Sequence, residues 1–181
     1  MKTLSFILVA TLFCITTANA QITKGNWLMG GDMSLYMAES KSEHSDSKST
    51  SLGFTVNPTI GYFFIDNLAG GLTVIFGFNS HKEADSKSIG FSTGPFVRYY
   101  FLEPEKQINI FAQTGYGFGR SFLEGNTVSK SSVFDIRTGP VFFLNSSVAI
   151  ELMIIYNYSK SNNTITNNIQ MGAGFQIHLE K

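Results

Sequence analysis

Hydrophobic and polar residues alternate along most of the chain after position 20. In the stretch SLGFTVNPTIGYFF, every second residue from Leu52 to Phe64 is apolar, and most of the intervening positions are glycine, threonine or asparagine. A period of two is typical of a β-strand whose two faces meet different surroundings. No window keeps a helical period over a useful length, so the pattern predicts an all-β protein.

Segments with this alternation recur regularly and give eight predicted strands: residues 26–38, 51–64, 68–79, 88–102, 107–122, 131–144, 148–159 and 167–179. Long polar stretches such as ESKSEHSDSKST follow the odd-numbered segments, and short turns follow the even-numbered ones. Antiparallel neighbours are the strand pairs that such short turns can join. The connections therefore predict an up-and-down meander with loops at one end and tight turns at the other.

Two barrel architectures fit such a meander. A soluble lipocalin-like barrel has its apolar face inward, whereas an outer-membrane barrel has it outward. A soluble barrel would present a face rich in lysine and glutamate to water, but the polar phase here is rich in glycine. Each segment also has the roughly 9–11 residues that a tilted strand needs to cross a bilayer. The fold expected is an eight-stranded antiparallel up-and-down transmembrane β-barrel.

The first 20 residues, MKTLSFILVATLFCITTANA, combine Lys2, an apolar run and a small-residue end. This pattern predicts a cleaved signal peptide, with the cut between Ala20 and Gln21 and one barrel domain over residues 21–181. Cys14 is the only cysteine and would leave with the signal, so no disulfide is expected. Without Lys2, 12 basic residues face 13 acidic ones, a balance that offers no basic patch for nucleic acid.

Five charged residues fall on the polar phase within the predicted strands: Asp32, Arg98, Asp135, Arg137 and Glu151. A dry lumen would make lone charges costly, so opposite charges should pair there. We expect Arg98 and Arg137 to face Glu151 and Asp32. Further hydrogen bonds are expected from Tyr100, Gln113, Gln170 or Gln176. A catalytic carboxylate pair is the alternative, but an eight-stranded lumen filled by side chains would give a substrate no access.

Three prolines, Pro58, Pro95 and Pro140, lie inside predicted strands. Proline cannot donate to a sheet ladder, and a closed barrel has no free edge strand to hold it. A β-bulge or a locally missing ladder bond is therefore predicted at each proline.

Four stretches together resemble a known family: NWLMGGDMSL, NPTIGYFFIDNLAGG, GPFVRYYF and the closing NIQMGAGFQIHLEK. They are similar to the small eight-stranded outer-membrane proteins of the OmpA/OmpX type, and the resemblance covers nearly all of the chain after the signal. It implies that Gln170, Gly172, Phe175 and Ile177 form the C-terminal assembly signal. The family usually ends in an aromatic residue, whereas this chain continues to Lys181.

The resemblance implies an outer-membrane protein of a Gram-negative bacterium, with both termini in the periplasm. Its expected partners are outer-membrane lipids, lipopolysaccharide, the barrel-assembly machinery and periplasmic chaperones, and a monomer is expected. Arg120 falls late on the lipid-facing phase, where it would meet lipopolysaccharide phosphates or simply extend toward the interface. The leading functional hypothesis is a non-enzymatic protein that supports envelope integrity or binds host or surface ligands through its loops.

Two other functions stay open. One is a lipid-modifying enzyme, an acyltransferase or lipase, because His44, Asp85 and Ser86 supply the ingredients of a catalytic triad in polar loops. The other is a soluble periplasmic lipocalin-like binder. The sequence predicts no catalytic site, no cofactor and no metal site, since the histidines are isolated and no cysteine survives.

Overall fold

The computed structural model describes residues 22–41, 48–81, 86–123, 126–161 and 164–180. The predicted signal peptide, with Ala20 and Gln21 at its cleavage point, lies outside these residues, as do His44 and Asp85. All eight predicted strands are confirmed: β1 Trp27–Lys41, β2 Lys48–Ile65, β3 Leu68–His81, β4 Ser86–Tyr100, β5 Ile108–Leu123, β6 Asn126–Phe143, β7 Val148–Ser161 and β8 Thr164–Leu179. The described residues contain no helix that could cross a membrane.

The strands form one closed barrel in which each pairs antiparallel with its neighbours in sequence and β8 pairs with β1. The closing ladder, called the seam below, joins Trp27–Leu35 to Met171–Leu179. Among the eight ladders of the described strands, the seam has the fewest residue pairs. The ladder between β1 and β2, by comparison, runs the full length of β1 from Trp27 to Lys41. Strands extend further toward the loops than the alternation predicted, because their polar ends carry no apolar period.

The apolar face points outward, as the glycine-rich polar phase predicted. Large side chains on this face are strongly exposed, with Met171 78%, Ile169 74% and Phe118 67% accessible. The interleaved residues are buried, including all five charged residues of the polar phase. This orientation is the reverse of a soluble barrel, and it confirms the outer-membrane architecture over the lipocalin-like one.

A short segment before β1 covers the turn end of the barrel. The Asn67 amide donates to the Ile22 carbonyl at 2.9 Å, and the Gly25 amide donates to the Phe63 carbonyl at 3.0 Å. Asn67 has a φ of 67° in the tight turn between β2 and β3, a conformation that asparagine tolerates better than most residues. These bonds hold Ile22 fully buried beneath the lumen.

Each strand proline interrupts one ladder and leaves the other intact. Pro58, Pro95 and Pro140 are paired with the preceding strand. Toward the following strand, the ladder omits each proline and the residue before it: pairing passes from Val56–Phe76 to Thr59–Thr73, from Thr93–Phe118 to Phe96–Gly115, and from Thr138–Ile154 to Val141–Glu151. The register is the same on both sides of each gap, so no bulge lies there. The two register shifts in the barrel lie elsewhere, between Phe63 and Ile65 and between Ser121 and Phe122.

The one-sided gaps follow from antiparallel geometry. The N–H and C=O of one residue point to the same neighbouring strand, so a missing N–H weakens one ladder alone. The structure therefore places locally missing ladder pairs, and no bulge, at the three prolines.

Candidate functional site in the barrel interior

The barrel interior contains three layers from the turn end to the loop end. We call them the aromatic plug, the ionic layer and the polar cavity. Each layer forms because alternate residues of every strand point inward, so one height of the barrel collects side chains from distant parts of the sequence. The ionic layer comprises Asp32 on β1, Arg98 on β4, Asp135 and Arg137 on β6 and Glu151 on β7.

Arg98 is the centre of the lower half of the ionic layer. Its Nη1 lies 2.5 Å from Glu151 Oε1, and both side chains are at most 1% exposed. Arg98 Nε donates to Gln113 Oε1 at 2.8 Å, and Nη1 donates to the Tyr100 hydroxyl at 3.2 Å. The guanidinium carbon is also 4.3 Å from the centroid of the Phe111 ring, within cation–π distance. The charge of Arg98 is thus shared among a carboxylate, two neutral acceptors and an aromatic face.

Arg137 is the centre of the upper half. Its Nη1 contacts Asp32 Oδ2, and its Nε donates to Asp135 Oδ2 at 3.0 Å. Asn57 Nδ2 donates to the other oxygen of Asp32 at 2.6 Å. Buried ions without partners are strongly unfavourable, and these contacts give each charge of the upper half an opposite one.

The structure brings together all five charged residues that the sequence placed in the lumen, with Arg98 against Glu151 and Arg137 against Asp32. Two of the expected amide partners also join, since Gln113 bonds Arg98 and Gln176 Nε2 donates to Glu151 Oε2 at 3.3 Å.

Gln170 does not contact these charges. It accepts from Ser34 at 2.6 Å and donates to Asn168 at 3.1 Å, because it lies nearer the loop end. The sequence analysis did not identify Asn57 as a partner of Asp32. The available signal was its position on the inward, polar phase of β2, directly before Pro58.

The aromatic plug fills the turn end of the lumen. Its buried members include Ile22, Leu28, Phe63, Tyr100, Phe111, Phe143 and His178. The His178 ring lies 5.5–6.2 Å from the rings of Phe63, Tyr100 and Phe143. Such contacts are typical of packed aromatic cores, and they leave the turn half of the barrel filled.

The polar cavity occupies the loop half of the lumen above Arg137. Its volume is about 220 Å³, and serine, threonine, asparagine and glutamine supply most of its lining. The expected side-chain-filled lumen is therefore wrong for this half. Glycines and short polar residues face inward here, including Gly77, Gly90, Ser92 and Ser131, and they are too small to fill the space.

The four residues of the implied assembly signal lie on β8. Gln170 and Gly172 lie on the inward face of β8, and Gln170 is buried. Phe175 and Ile177 lie on the outward face, where Phe175 is 55% exposed. Gly172, Phe175 and Ile177 also belong to the seam with β1. Their recognition by the assembly machinery stays a prediction.

The candidate catalytic residues gain no support from the described geometry. His44 and Asp85 lie outside the described residues, and Ser86 begins β4. Within the described part of the chain, no group of three or more His, Cys, Asp or Glu side chains is arranged to hold a metal ion.

Comparisons with known proteins identify the architecture. No family model matches the chain, and no curated protein matches its sequence. Among solved structures, Neisserial surface protein A has a TM-score of 0.61 at 18% identity and covers 85% of this chain and 97% of its own. OprG from Pseudomonas aeruginosa has a TM-score of 0.56 at 12% identity, covering 91% of this chain and 100% of its own.

The N-terminal barrel domain of OprF from Pseudomonas aeruginosa gives a TM-score of 0.54 at 12% identity, covering 86% of this chain and 98% of its own. At these identities the likeness concerns the fold. The chain has the fold of the small eight-stranded outer-membrane barrels, which the OmpA/OmpX resemblance implied.

Proposed function

We propose that this chain is a non-enzymatic integral outer-membrane protein that supports envelope integrity through its lipid contacts and presents its loops for surface interaction. The observation that carries this proposal is the pairing of an outward apolar face with inward ion pairs. Exposed apolar side chains on every strand would be a liability in water, whereas a bilayer solvates them. Apart from the one-sided gaps at the three prolines, the backbone pairs within a closed sheet, as hydrocarbon requires.

The interior supports a structural role over solute transport. Arg98, Glu151, Arg137 and Asp32 cross the lumen as buried ion pairs, and the aromatic plug fills the space below them. An ion or solute would have to break these pairs and displace packed rings to pass. The lumen is therefore a support that ties distant strands together.

Three cations on the outward face support contact with lipopolysaccharide. Arg120 and Lys130 are exposed and sit directly opposite each other on β5 and β6, and Lys160 on β7 is opposite Ser132. We call them the rim cations. Like charges opposite each other in a sheet destabilise it, and none of the ion pairs found among the described residues involves these three. Phosphate groups of the outer leaflet would supply the missing negative charge.

Aromatic residues just below the rim cations support the same position in the membrane. Phe118 lies on β5, and Phe134 and Tyr158 oppose each other on β6 and β7. Aromatic girdles mark the interface of outer-membrane barrels. The rim cations would then lie at headgroup height, where a cation costs little and phosphates are near.

The lipid-modifying enzyme remains the second function, and the described residues carry no observation that favours it. Replacing His44 by alanine tests it directly. Unchanged lipid A acylation and phospholipid hydrolysis in a strain that carries the variant would exclude that triad.

Two measurements test the membrane protein. Fractionation should recover the chain in the outer membrane, with faster gel migration of the unheated folded barrel, and recovery only in the soluble periplasm would refute the proposal. In planar bilayers the purified protein should give no large, stable single-channel currents, because the aromatic plug and the ionic layer close the lumen below the polar cavity.

A deletion strain separates the two halves of the proposal. Detergent sensitivity without an adhesion defect supports the role in envelope integrity. An adhesion defect without detergent sensitivity supports surface binding through the loops.

A further inference from the structure

The seam between β1 and β8 closes only part of the barrel wall. Its last ladder pair toward the loops is Leu35 with Met171. Beyond that pair, residues 36–41 of β1 pair with β2, and residues 164–170 of β8 pair with β7. Within the described backbone, no ladder pair joins these two stretches to each other. We call this gap between the loop-side ends of β1 and β8 the open seam.

An apolar groove lies on the outward face of the barrel, on the turn side of the open seam. Its volume is about 540 Å³, and seam residues form much of its lining. Two outward ladder pairs of the seam each join a large residue to a small one: Met33 with Ala173, and Phe175 with Gly31. The small residues leave room between the large ones, so the groove continues from Leu35 to Gly31, about 14 Å along β1.

The polar cavity meets the open seam from the inside. Ser34 on β1 and Asn168 and Gln170 on β8 line the cavity. The Ser34 hydroxyl donates to Gln170 Oε1 at 2.6 Å, so side chains join β1 to β8 where the backbone ladder ends. The polar cavity and the apolar groove therefore lie on the two sides of one opening in the barrel wall.

The polar cavity offers hydrogen-bond donors to a ligand. Asn168 Oδ1 already accepts from Asn157 Nδ2 and from Gln170 Nε2, each at 3.1 Å. Its acceptor positions are thus occupied, and its Nδ2 has two protons to donate. At the floor, Arg137 bonds the aspartates through Nε and Nη1, and no hydrogen bond among the described residues uses Nη2. The lining includes Arg120 and Arg137 and, in the described part of the chain, no carboxylate.

We propose that this site binds a single-chain lipid with a carboxylate head, that is, a fatty acid. The head lies in the polar cavity, where amide and guanidinium donors bind its oxygens, and the chain passes through the open seam into the apolar groove. A cationic head would meet arginines in the lining. The buried carboxylates Asp32, Asp135 and Glu151 lie below the cavity floor, and each already contacts an arginine.

The height of the open seam suits the head of a membrane lipid. Lys160, one of the rim cations, is opposite Ile165 on β8. The open seam therefore lies at the level proposed above for the headgroups, with the apolar groove on its hydrocarbon side. This inference rests on the proposed function, because the groove contacts lipid only when the barrel is in a membrane.

The test is retention of radiolabelled laurate by phosphatidylcholine nanodiscs that contain the refolded barrel, compared with empty discs. Saturable retention above the empty discs is expected. Dodecyltrimethylammonium, with a similar chain and a cationic head, should not displace the laurate, and neither should acetate, which lacks the chain. Retention equal to that of empty discs would overturn the proposal, as would displacement by either competitor at the concentration of laurate itself.

Asn168→Asp tests the position of the head. The new carboxylate still accepts from Asn157 and Gln170, but it lacks the Nδ2 donor and repels a second carboxylate, so laurate affinity should fall about tenfold or more. The matched control is Asn167→Asp on the outward face, because Asn167 Oδ1 likewise accepts a bond, from the Tyr156 hydroxyl at 2.9 Å. Equal losses of affinity in the two variants would refute the head position.

Ala173→Leu tests the position of the chain. The added side chain would occupy the apolar groove, so laurate affinity should fall about tenfold. Ala112→Leu is the control, since it adds the same atoms on β5, away from the groove. Wild-type affinity in Ala173→Leu would place the chain elsewhere and refute the groove.

A second readout uses the wild-type barrel alone. Laurate with a photoactivatable group at the chain end should label residues 31–35 of β1 and 171–175 of β8, and labels confined to other strands would contradict the site. Unheated gel migration of the same discs verifies that the barrel is folded. A folded barrel that retains no laurate overturns this inference alone, whereas a chain that fails to enter the discs overturns the proposed function as well.

Discussion

Arg98 and Glu151 form an ion pair across the barrel interior, with Nη1 2.5 Å from Oε1, although β4 and β7 share no ladder. The contact joins strands that the sheet itself leaves separate. Removing one partner would leave the other charge buried and alone, which is worse than removing both. The pair therefore makes an asymmetric prediction about stability.

Glu151→Gln should destabilise the barrel by about 3–5 kcal/mol, because Arg98 would remain fully buried without its carboxylate. Urea unfolding in phospholipid vesicles measures the loss. The matched control is Glu103→Gln, since Glu103 is 77% exposed and only 3.9 Å from Lys106 in an exposed pair. An unfolding midpoint for Glu151→Gln equal to that of the control would show that the pair contributes nothing.

The double variant Arg98→Met with Glu151→Leu should recover most of this loss. Apolar residues of similar volume often replace a buried ion pair at little cost. The same unfolding measurement compares it with Glu151→Gln. Finding the double variant less stable than the single one would contradict the account of an uncompensated charge.

Gly139→Ala should destabilise the barrel by about 1–3 kcal/mol, because a Cβ at this position would overlap the Leu152 carbonyl oxygen of the next strand. Gly139 directly precedes Pro140, at the gap in the ladder between β6 and β7. The control is Gly77→Ala, where the nearest atom would be the Thr55 methyl at 3.8 Å. Equal urea midpoints for the two variants would mean that the strands at the gap are not held close.

Ile154→Lys should cost about 2–4 kcal/mol in a bilayer, because Ile154 is 53% exposed near the middle of β7 on the outward face. Ile108→Lys makes the same change at the turn end of β5, where Ile108 is 52% exposed and the expected cost is about 0–1 kcal/mol. Unfolding in vesicles measures both. A smaller loss at Ile154 than at Ile108 would contradict the proposed depth of the barrel in the membrane.

Combined Arg120→Gln and Lys130→Gln substitutions should weaken binding of lipid A without destabilising the fold, because they also remove a pair of like charges. The physical reason is the loss of two cations that sit opposite each other at the loop end. Lys106→Gln is the control, because Lys106 lies at the turn end and is 57% exposed. Lipid A retained equally by both variants in a vesicle pull-down would exclude the rim cations as its site.

Alternation predicted the strands and the phase of the five interior charges, because a closed barrel gives every residue one of only two environments. The glycine-rich composition of the polar phase then predicted that the apolar face points outward. Alternation also predicted which charges would pair, since two arginines and three carboxylates leave few arrangements. Height along the barrel was harder to predict. Gln170 was expected near the charges and lies above them, because the stagger between β8 and β6 depends on turns and ladder gaps that no single strand encodes.

The size of the inward side chains could not be judged from the pattern of apolar and polar positions. Inward Ser, Thr and Gly near the loop end give the same alternating pattern as larger side chains that would fill the lumen. Because they are small, they leave a cavity of about 220 Å³. The burial of Ile22 could not be predicted either, because a single apolar residue before the first strand belongs to no periodic pattern. Its position became evident only from its bond to Asn67.

The seam also has a consequence for how the barrel forms. Trp27 and Leu179 pair in space although almost the whole domain separates them in sequence, so the seam is the contact of highest contact order. The hairpins closed by short turns can form early, but the seam must wait until the last strand exists. A chain that lost β8 would present two unpaired edges, open to aggregation or to other chains. Ring closure therefore makes completeness of the polypeptide a condition of folding.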